Sequence, residues 1–306
     1  MSSEYPANAT STLSPCPSAS TPPTEMSTPR DEMPEVNDDI LGGLEDVVVL
    51  DFKGPRSLKK QIDSRLKELQ ASSSCQQFIV CRNVGKEQLT SIDQQQSLGR
   101  GIRKSYNSNL QILVLKILTT IHEAAHLTLW QIIWRQLIAM GDGELMAPCG
   151  GGTFLSQSKI SSKEADTAYK PVTRNQESDW PTIVLECGYS ESMRRLAVDA
   201  RWWLVNAGGD VKTVLLISIN GERQALHLER WCLAPPYDRP VTRNTPSMVP
   251  TKTGEVDIVA GIVTGAPLCL KFEDLVERPP GPTERDVVLT ADQLATWANF
   301  LWTTYQ

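Results

Sequence analysis

The sequence predicts an α/β domain with a central mixed β-sheet flanked by helices, preceded by a disordered N-terminal tail. Three observations carry this. Residues 1–40 are Ser, Thr and Pro with acids and almost nothing to bury, a composition that cannot offset the entropy of ordering a chain. From Leu110 onward, short runs rich in β-branched residues alternate with longer segments whose apolar residues recur at helical spacing. No stretch is apolar over the 18 residues that a membrane span needs.

The expected domains are a Ser/Thr/Pro-rich acidic tail over 1–45 and a globular domain over 46–306, with 56–102 as an insertion. A short strand is expected at Val47–Phe52. Leu58, Ile62, Leu66 and Leu69 then mark a helix over Ser57–Gln70. Residues 71–101 turn polar, relieved by the apolar run Phe78–Cys81, and are expected as a loop. Leu110–Leu118 is a buried strand, and Ile121–Met140 one helix that Gly141 stops. The Gly150–Gly152 run is a turn, because no Gly-Lys-Ser/Thr follows to make it a phosphate loop.

Two strands follow, Glu164–Lys170 and Thr182–Cys187, then a helix over Glu191–Asn206 with Leu196, Ala200, Trp203 and Leu204 on its core side. Val211–Ile219 and Gln224–Trp231 flank Asn220-Gly221, a hairpin signal. After the Pro-rich 233–250, two strands near Val256–Val263 and Leu268–Phe272 lead to a last helix. That helix begins at Thr290, with Gln293 completing a capping box.

The total charge is −6, but nine acidic residues and one basic residue fall in 1–50, leaving +2 on the rest. A weakly basic body permits a phosphate partner without demanding one. The N-terminus has no basic start and no apolar run, so a secretory signal is not expected. Seven cysteines without a C-x-x-C pair suit buried thiols in a reducing compartment, cytoplasm or nucleus. Cys187 has no histidine near it in sequence to activate it as a nucleophile.

Strand periodicity places Glu164, Asp166 and Lys170 on one side, and Glu186 ends the apolar run Thr182–Leu185. A carboxylate there must be paired, protonated or bound to a cation. If the strands are neighbours, Asp166 and Glu186 converge on one hard divalent ion, Mg²⁺ or Mn²⁺. A salt-bridged strand face accounts for the same residues without chemistry.

The order helix, strand, Asp-bearing strand, Glu-bearing strand and helix resembles the core of the PD-(D/E)XK nuclease superfamily. SSKEADTAYKP (161–171), DWPTIVLECGYSESMRRLAVDARWWL (179–204) and VKTVLLISIN (211–220) resemble a family of filamentous-fungal proteins. The segments RPVTRNTPSMVPTK (239–252) and IVTGAPLCLKFEDL (262–275) resemble it too. That family is similar to a bacterial group with a restriction-endonuclease-like fold. The resemblance implies a restriction-endonuclease-like core and metal-dependent phosphodiester hydrolysis on nucleic acid. It also implies Asp166 and Glu186 as catalytic metal ligands. The motif lysine belongs two residues after Glu186, where Gly188 stands. Lys170 is the expected substitute, with Arg194 and Arg195 as further candidates. If none reaches the carboxylates, the fold is expected to serve as a catalytically inactive binding or regulatory module.

His122-Glu123-Ala124-Ala125-His126 matches H-E-x-x-H on a predicted helix, the pattern by which two imidazoles hold zinc beside a glutamate base. A zinc metalloprotease is therefore a competing reading. The third ligand that zinc needs has no obvious candidate downstream. Glu123 is alternatively an additional metal-binding acid in the nuclease reading.

Overall fold

The computed structural model describes residues 40–44, 47–71, 76–94, 98, 101–141, 144–150, 152–189, 193–236 and 248–305. The tail expected over 1–45 lies outside these residues up to position 39, whereas Ile40–Leu44 forms an ordered turn.

In chain order the elements begin with β1 (Val48–Asp51), α1 (Pro55–Gln70), β2 (Phe78–Arg82), α2 (Lys86–Gln94), β3 (Ile102–Asn107), β4 (Ile112–Ile117) and α3 (Thr120–Ala139). Then come β5 (Met146–Pro148), β6 (Thr153–Leu155), β7 (Ser161–Glu164), β8 (Thr167–Pro171), β9 (Ile183–Tyr189) and α4 (Met193–Asn206). The chain continues through β10 (Thr213–Asn220), β11 (Ala225–Ala234), β12 (Val249–Val259) and β13 (Ile262–Thr264). It closes with β14 (Leu268–Leu270), α5 (Phe272–Val276), β15 (Val287–Leu289) and α6 (Ala291–Thr304).

The mixed α/β class is as the sequence predicts, but the strands divide between two large sheets. One has six strands in the order β1-β2-β4-β3-β7-β6, and the other seven in the order β13-β12-β11-β10-β9-β8-β5. A small hairpin of β14 and β15 stands apart. The division has a local cause. Glu164–Lys170 was expected as one strand, yet pairing breaks at Ala165 and Asp166, so β7 belongs to the first sheet and β8 to the second. The stretch 71–101, expected as a loop, supplies β2 and α2. β2 is integral to the first sheet, parallel to β1 and antiparallel to β4.

Side-chain alternation explains the layers. In the first sheet, Ile79, Cys81, Leu113 and Leu115 face α1, where Leu58 and Ile62 meet them. Phe78, Val80, Ile112 and Val114 face the other way, onto Ile40, Leu41 and Leu44. In the second sheet, Leu185, Leu215 and Ile217 pack against α3, α6 and the small hairpin. Val184, Val214 and Leu216 pack against α4 through Leu196, Ala200 and Trp203. The parallel pair β9 and β10 is joined through α4, the connection a parallel pair requires. Thr290 and Gln293 form the expected capping box at the start of α6.

Cys81, Cys149, Cys187 and Cys232 are free thiols, and Cys81 and Cys187 are buried as expected. Cys269 is disulfide-bonded, which the scattered-thiol reading did not include.

Candidate functional site

The break between β7 and β8 places Asp166 against β9. Thr167 is opposite Leu185 and Ala168 opposite Val184, so the register continued by one step sets Asp166 opposite Glu186. Both are nearly inaccessible, at 4% and 1% exposure. Neither carboxylate is alone there, as buried charge requires.

The cation between them comes from an unexpected strand. Lys116 lies within β4, a strand buried along its whole length. Its Nζ is 2.8 Å from Asp166 Oδ2 and 3.8 Å from Glu186 Oε2. The two oxygens are therefore no further apart than those distances combined, with the ammonium bridging them. Lys116 also donates to the Cys187 carbonyl at 2.5 Å.

Asp166 Oδ2 is crowded with donors. Besides Lys116, it accepts from the Cys187 amide at 2.8 Å and lies 3.1 Å from His122 Nε2. His122 Nε2 also sits 2.6 Å from the Cys187 carbonyl. A carbonyl only accepts, so Nε2 carries the hydrogen. Burial opposes ionisation of Asp166, but Lys116 and His122 outweigh it and hold the carboxyl well below its ordinary range. Its other oxygen, Oδ1, is buried without a hydrogen-bond partner among the described residues.

Glu186 is held differently. Its Oε1 accepts from Trp203 Nε1 at 2.6 Å, and Lys163 Nζ stands 3.5 Å away. Burial pushes this carboxyl up to about 7, with Lys163 opposing and the Asp166 and Asp199 carboxylates reinforcing the rise. Lys163 itself pairs with Asp199 Oδ1 at 2.7 Å, and Arg195 Nη2 reaches the same oxygen at 2.8 Å. Burial acts to raise Asp199, but Arg195 and Lys163 prevail and hold it below its ordinary value.

Arg195 ties the network to the turn before β1. Its Nη1 donates to the Ile40 carbonyl at 2.7 Å and the Gly42 carbonyl at 3.3 Å. Gly43 has φ +77°, and a Cβ there would fall 2.7 Å from the Arg195 Cα. Glycine is the residue that allows this approach. The Phe78 ring lies beneath both Lys116 and Arg195, at 5.9 Å and 5.6 Å. Ile40, Leu41 and Leu44 pack on that same ring's face of the sheet.

Of the residues the sequence singled out, Asp166 and Glu186 are brought together. Lys170 is not with them: its ammonium bonds the Gln176 carbonyl in the loop before β9. Spacing put Lys170 on the face of Asp166, but alternation does not carry across the bend at Asp166. Arg195 points inward and Arg194 is exposed. Glu123 is half-buried on the first turn of α3 and takes no part in the hydrogen bonds of the cluster. His122 and His126 share a buried face, their rings 5.4 Å apart. His122 Nε2 is committed to Asp166 and Cys187, and burial pushes His126 down to about 3. Trp202 donates to Ser161 Oγ at 3.0 Å and lies edge-on to Trp203.

Lys116, Lys163, Asp199 and Trp203 were missed as site residues. Two carried a signal. Lys116 interrupts an otherwise apolar strand, and Asp199 falls between Leu196 and Trp203 on the core side of its helix. A charge in such a place demands a buried partner.

No protein-family model matches the chain, and no curated protein matches it. Among solved structures, it is similar to "a putative nuclease belonging to DUF820 from Anabaena variabilis ATCC 29413", at 12% identity and a TM-score of 0.37. That similarity covers 64% of this chain and 90% of the other. Likeness at this level assigns no family. No helix among the described residues is long and apolar enough to cross a membrane.

Proposed function

We propose that the chain is a restriction-endonuclease-like protein of the PD-(D/E)XK type, acting inside the cell on the phosphodiester backbone of nucleic acid. Asp166 and Glu186 are its acidic pair, and Lys116 takes the role of the motif lysine absent at Gly188. The observation that carries this reading is the Lys116 ammonium between the two carboxylates.

The donor set suits Mg²⁺ or Mn²⁺, both of which prefer oxygen ligands with water and phosphate completing the shell. Asp166 Oδ1 is a buried carboxylate oxygen with no partner among the described residues, the kind of acceptor a cation satisfies. Asp166 and Glu186 would hold the ion, which when bound lowers the pKa of water and neutralises charge on phosphate. The chain's own residues do the rest. Lys116 offers a fixed positive charge to a developing phosphate oxyanion, an electrostatic role that is strong where water is excluded. Lys163 and Trp203 orient the Glu186 carboxyl. His122 and the Cys187 amide hold Asp166 through Oδ2, leaving Oδ1 without a donor among the described residues.

A second reading rests on a different observation. Asp166, Glu186, Lys116 and Lys163 are all at most 5% exposed, and the cations already compensate the anions. A catalytically inactive binding module accounts for such a closed network. Nicking of supercoiled plasmid with Mn²⁺ or Mg²⁺ separates the two. The nuclease reading expects cleavage by the wild type and a loss of at least ~100-fold in Asp166→Asn and Lys116→Met. Thermal melts of both variants establish that they are folded. If the wild type leaves the plasmid intact with either ion, catalysis is overturned and the binding module stands.

A further inference from the structure

A second group of metal-ligating side chains lies on β11 and β12, which β10 separates from the Glu186-bearing β9 in the sheet. On β11, His227 and Glu229 are two apart and so share a face, while Leu226 and Leu228, on either side of His227, turn to the core. The antiparallel register sets Asp257 of β12 opposite His227, and Glu255 opposite Glu229. Ligand atoms of His227, Glu229 and Glu255 all lie within 4.8 Å of one another.

The surroundings of these atoms are built as the outer shell of a metal site is built. His227 Nδ1 is 2.7 Å from Asp257 Oδ1, which aims Nε2 at Glu229 Oε1, 3.3 Å away. Metal-bound imidazoles are held in this way, one ring nitrogen on a carboxylate and the other on the ion. Glu229 is oriented as well, because its Oε2 accepts from Trp231 Nε1 at 2.7 Å. A positive charge already stands beside the two glutamates. Lys252 Nζ is 3.3 Å from Glu229 Oε1 and 2.5 Å from Glu255 Oε2. The Lys252 side chain is 42% exposed, so its ammonium has solvent to move into.

We propose that His227, Glu229 and Glu255 form a site for a divalent transition-metal ion of the zinc class, with Asp257 orienting the histidine and Lys252 as the cation the ion displaces. One imidazole with carboxylates is a ligand set that zinc accepts, and water completes the coordination. The site is independent of the nuclease reading, since it shares no residue with Asp166, Glu186 or Lys116.

The test is titration of chelator-stripped protein with Co²⁺ alone, read by visible absorption, and with Zn²⁺ alone, read by calorimetry. The wild type is expected to bind one equivalent beyond any held at Asp166 and Glu186, and Asp166→Asn to keep that equivalent. Glu255→Gln and His227→Ala, whose side chains are partly exposed, should lose binding by ~100-fold or more. Asp257→Asn should weaken it by at least about tenfold, the usual effect of removing a histidine's orienting carboxylate. Lys252→Ala should bind at least as tightly as the wild type. The site is overturned if the wild type takes up neither ion. It is equally overturned if the equivalent retained by Asp166→Asn survives when His227→Ala is added, or if Asp166→Asn alone abolishes all uptake.

Discussion

His126 shows how much a single side chain in this core depends on exclusion of water. It is 1% exposed, and burial holds its pKa near 3 in the folded protein. In the unfolded chain an imidazole titrates near 6.5, so between those values the unfolded state binds the extra proton. The stability that His126 contributes is full above pH 6.5 and drains away as the pH falls towards 3. Urea unfolding at pH 7 and pH 4 should reveal a loss of about 3 kcal/mol from this group. In His126→Gln that part of the pH dependence should vanish; an unchanged slope would show that other groups set it. Glu186 runs the opposite way, since its raised carboxyl favours the folded state at low pH and loses that advantage as pH climbs through about 7. Residues of this sort were partly legible. Asp166 and Glu186 stood out because a carboxylate beside an apolar run needs a partner. The partner itself was not legible, because Lys116 is separated from them by 50 or more positions and only sheet packing joins them.

At the scale of elements, local signals translated well wherever the chain's own neighbours decide the structure. The last helix is the clearest case. Thr290 Oγ1 accepts from the Gln293 amide at 3.3 Å, and Gln293 Oε1 accepts from the Thr290 amide at 3.1 Å. Removing the hydroxyl in Thr290→Ala should cost about 1 kcal/mol in denaturant unfolding, while Thr290→Ser should cost much less. Equal losses in both would mean that packing of Leu294 and Trp297, rather than the cap, sets the helix start. Where pairing across the sheet decides, local pattern failed. Nothing in SSKEADTAYK distinguishes one strand from two, and the bend at Asp166 is fixed by partners on β3 and β9. The polar flanks of Phe78–Arg82 likewise hid a strand that β1 and β4 hold on either side.

Over the whole molecule, the charged cluster is the seam between the two large sheets. Lys116 and Lys163 come from the first, while Glu186 and Cys187 come from the second. Asp166 sits where the chain passes from one to the other. Breaking one partner of a buried pair is expected to cost about 3–5 kcal/mol, because the remaining charge is left uncompensated. In a double-mutant cycle, Lys116→Met with Asp166→Asn should therefore be less damaging than the sum of the single changes, by roughly 0.5–3 kcal/mol. Additive losses would show that the two residues act separately and that the seam is not a unit. The class of fold was legible from composition and periodicity, but the division into two sheets was not, since it depends on contacts between segments far apart in sequence.

The inaccessibility of that seam has a further consequence for the medium around the protein. Dissolved counter-ions weaken attraction between charges that solvent reaches, and do so over about 8–10 Å at physiological ionic strength. The Lys116 and Asp166 side chains are 5% and 0% exposed, and the Lys116 ammonium lies over the Phe78 ring. Their attraction is sheltered from dissolved salt, unlike that of an exposed pair such as Lys59 and Asp63. The join between the sheets thus holds alike in dilute and in concentrated electrolyte.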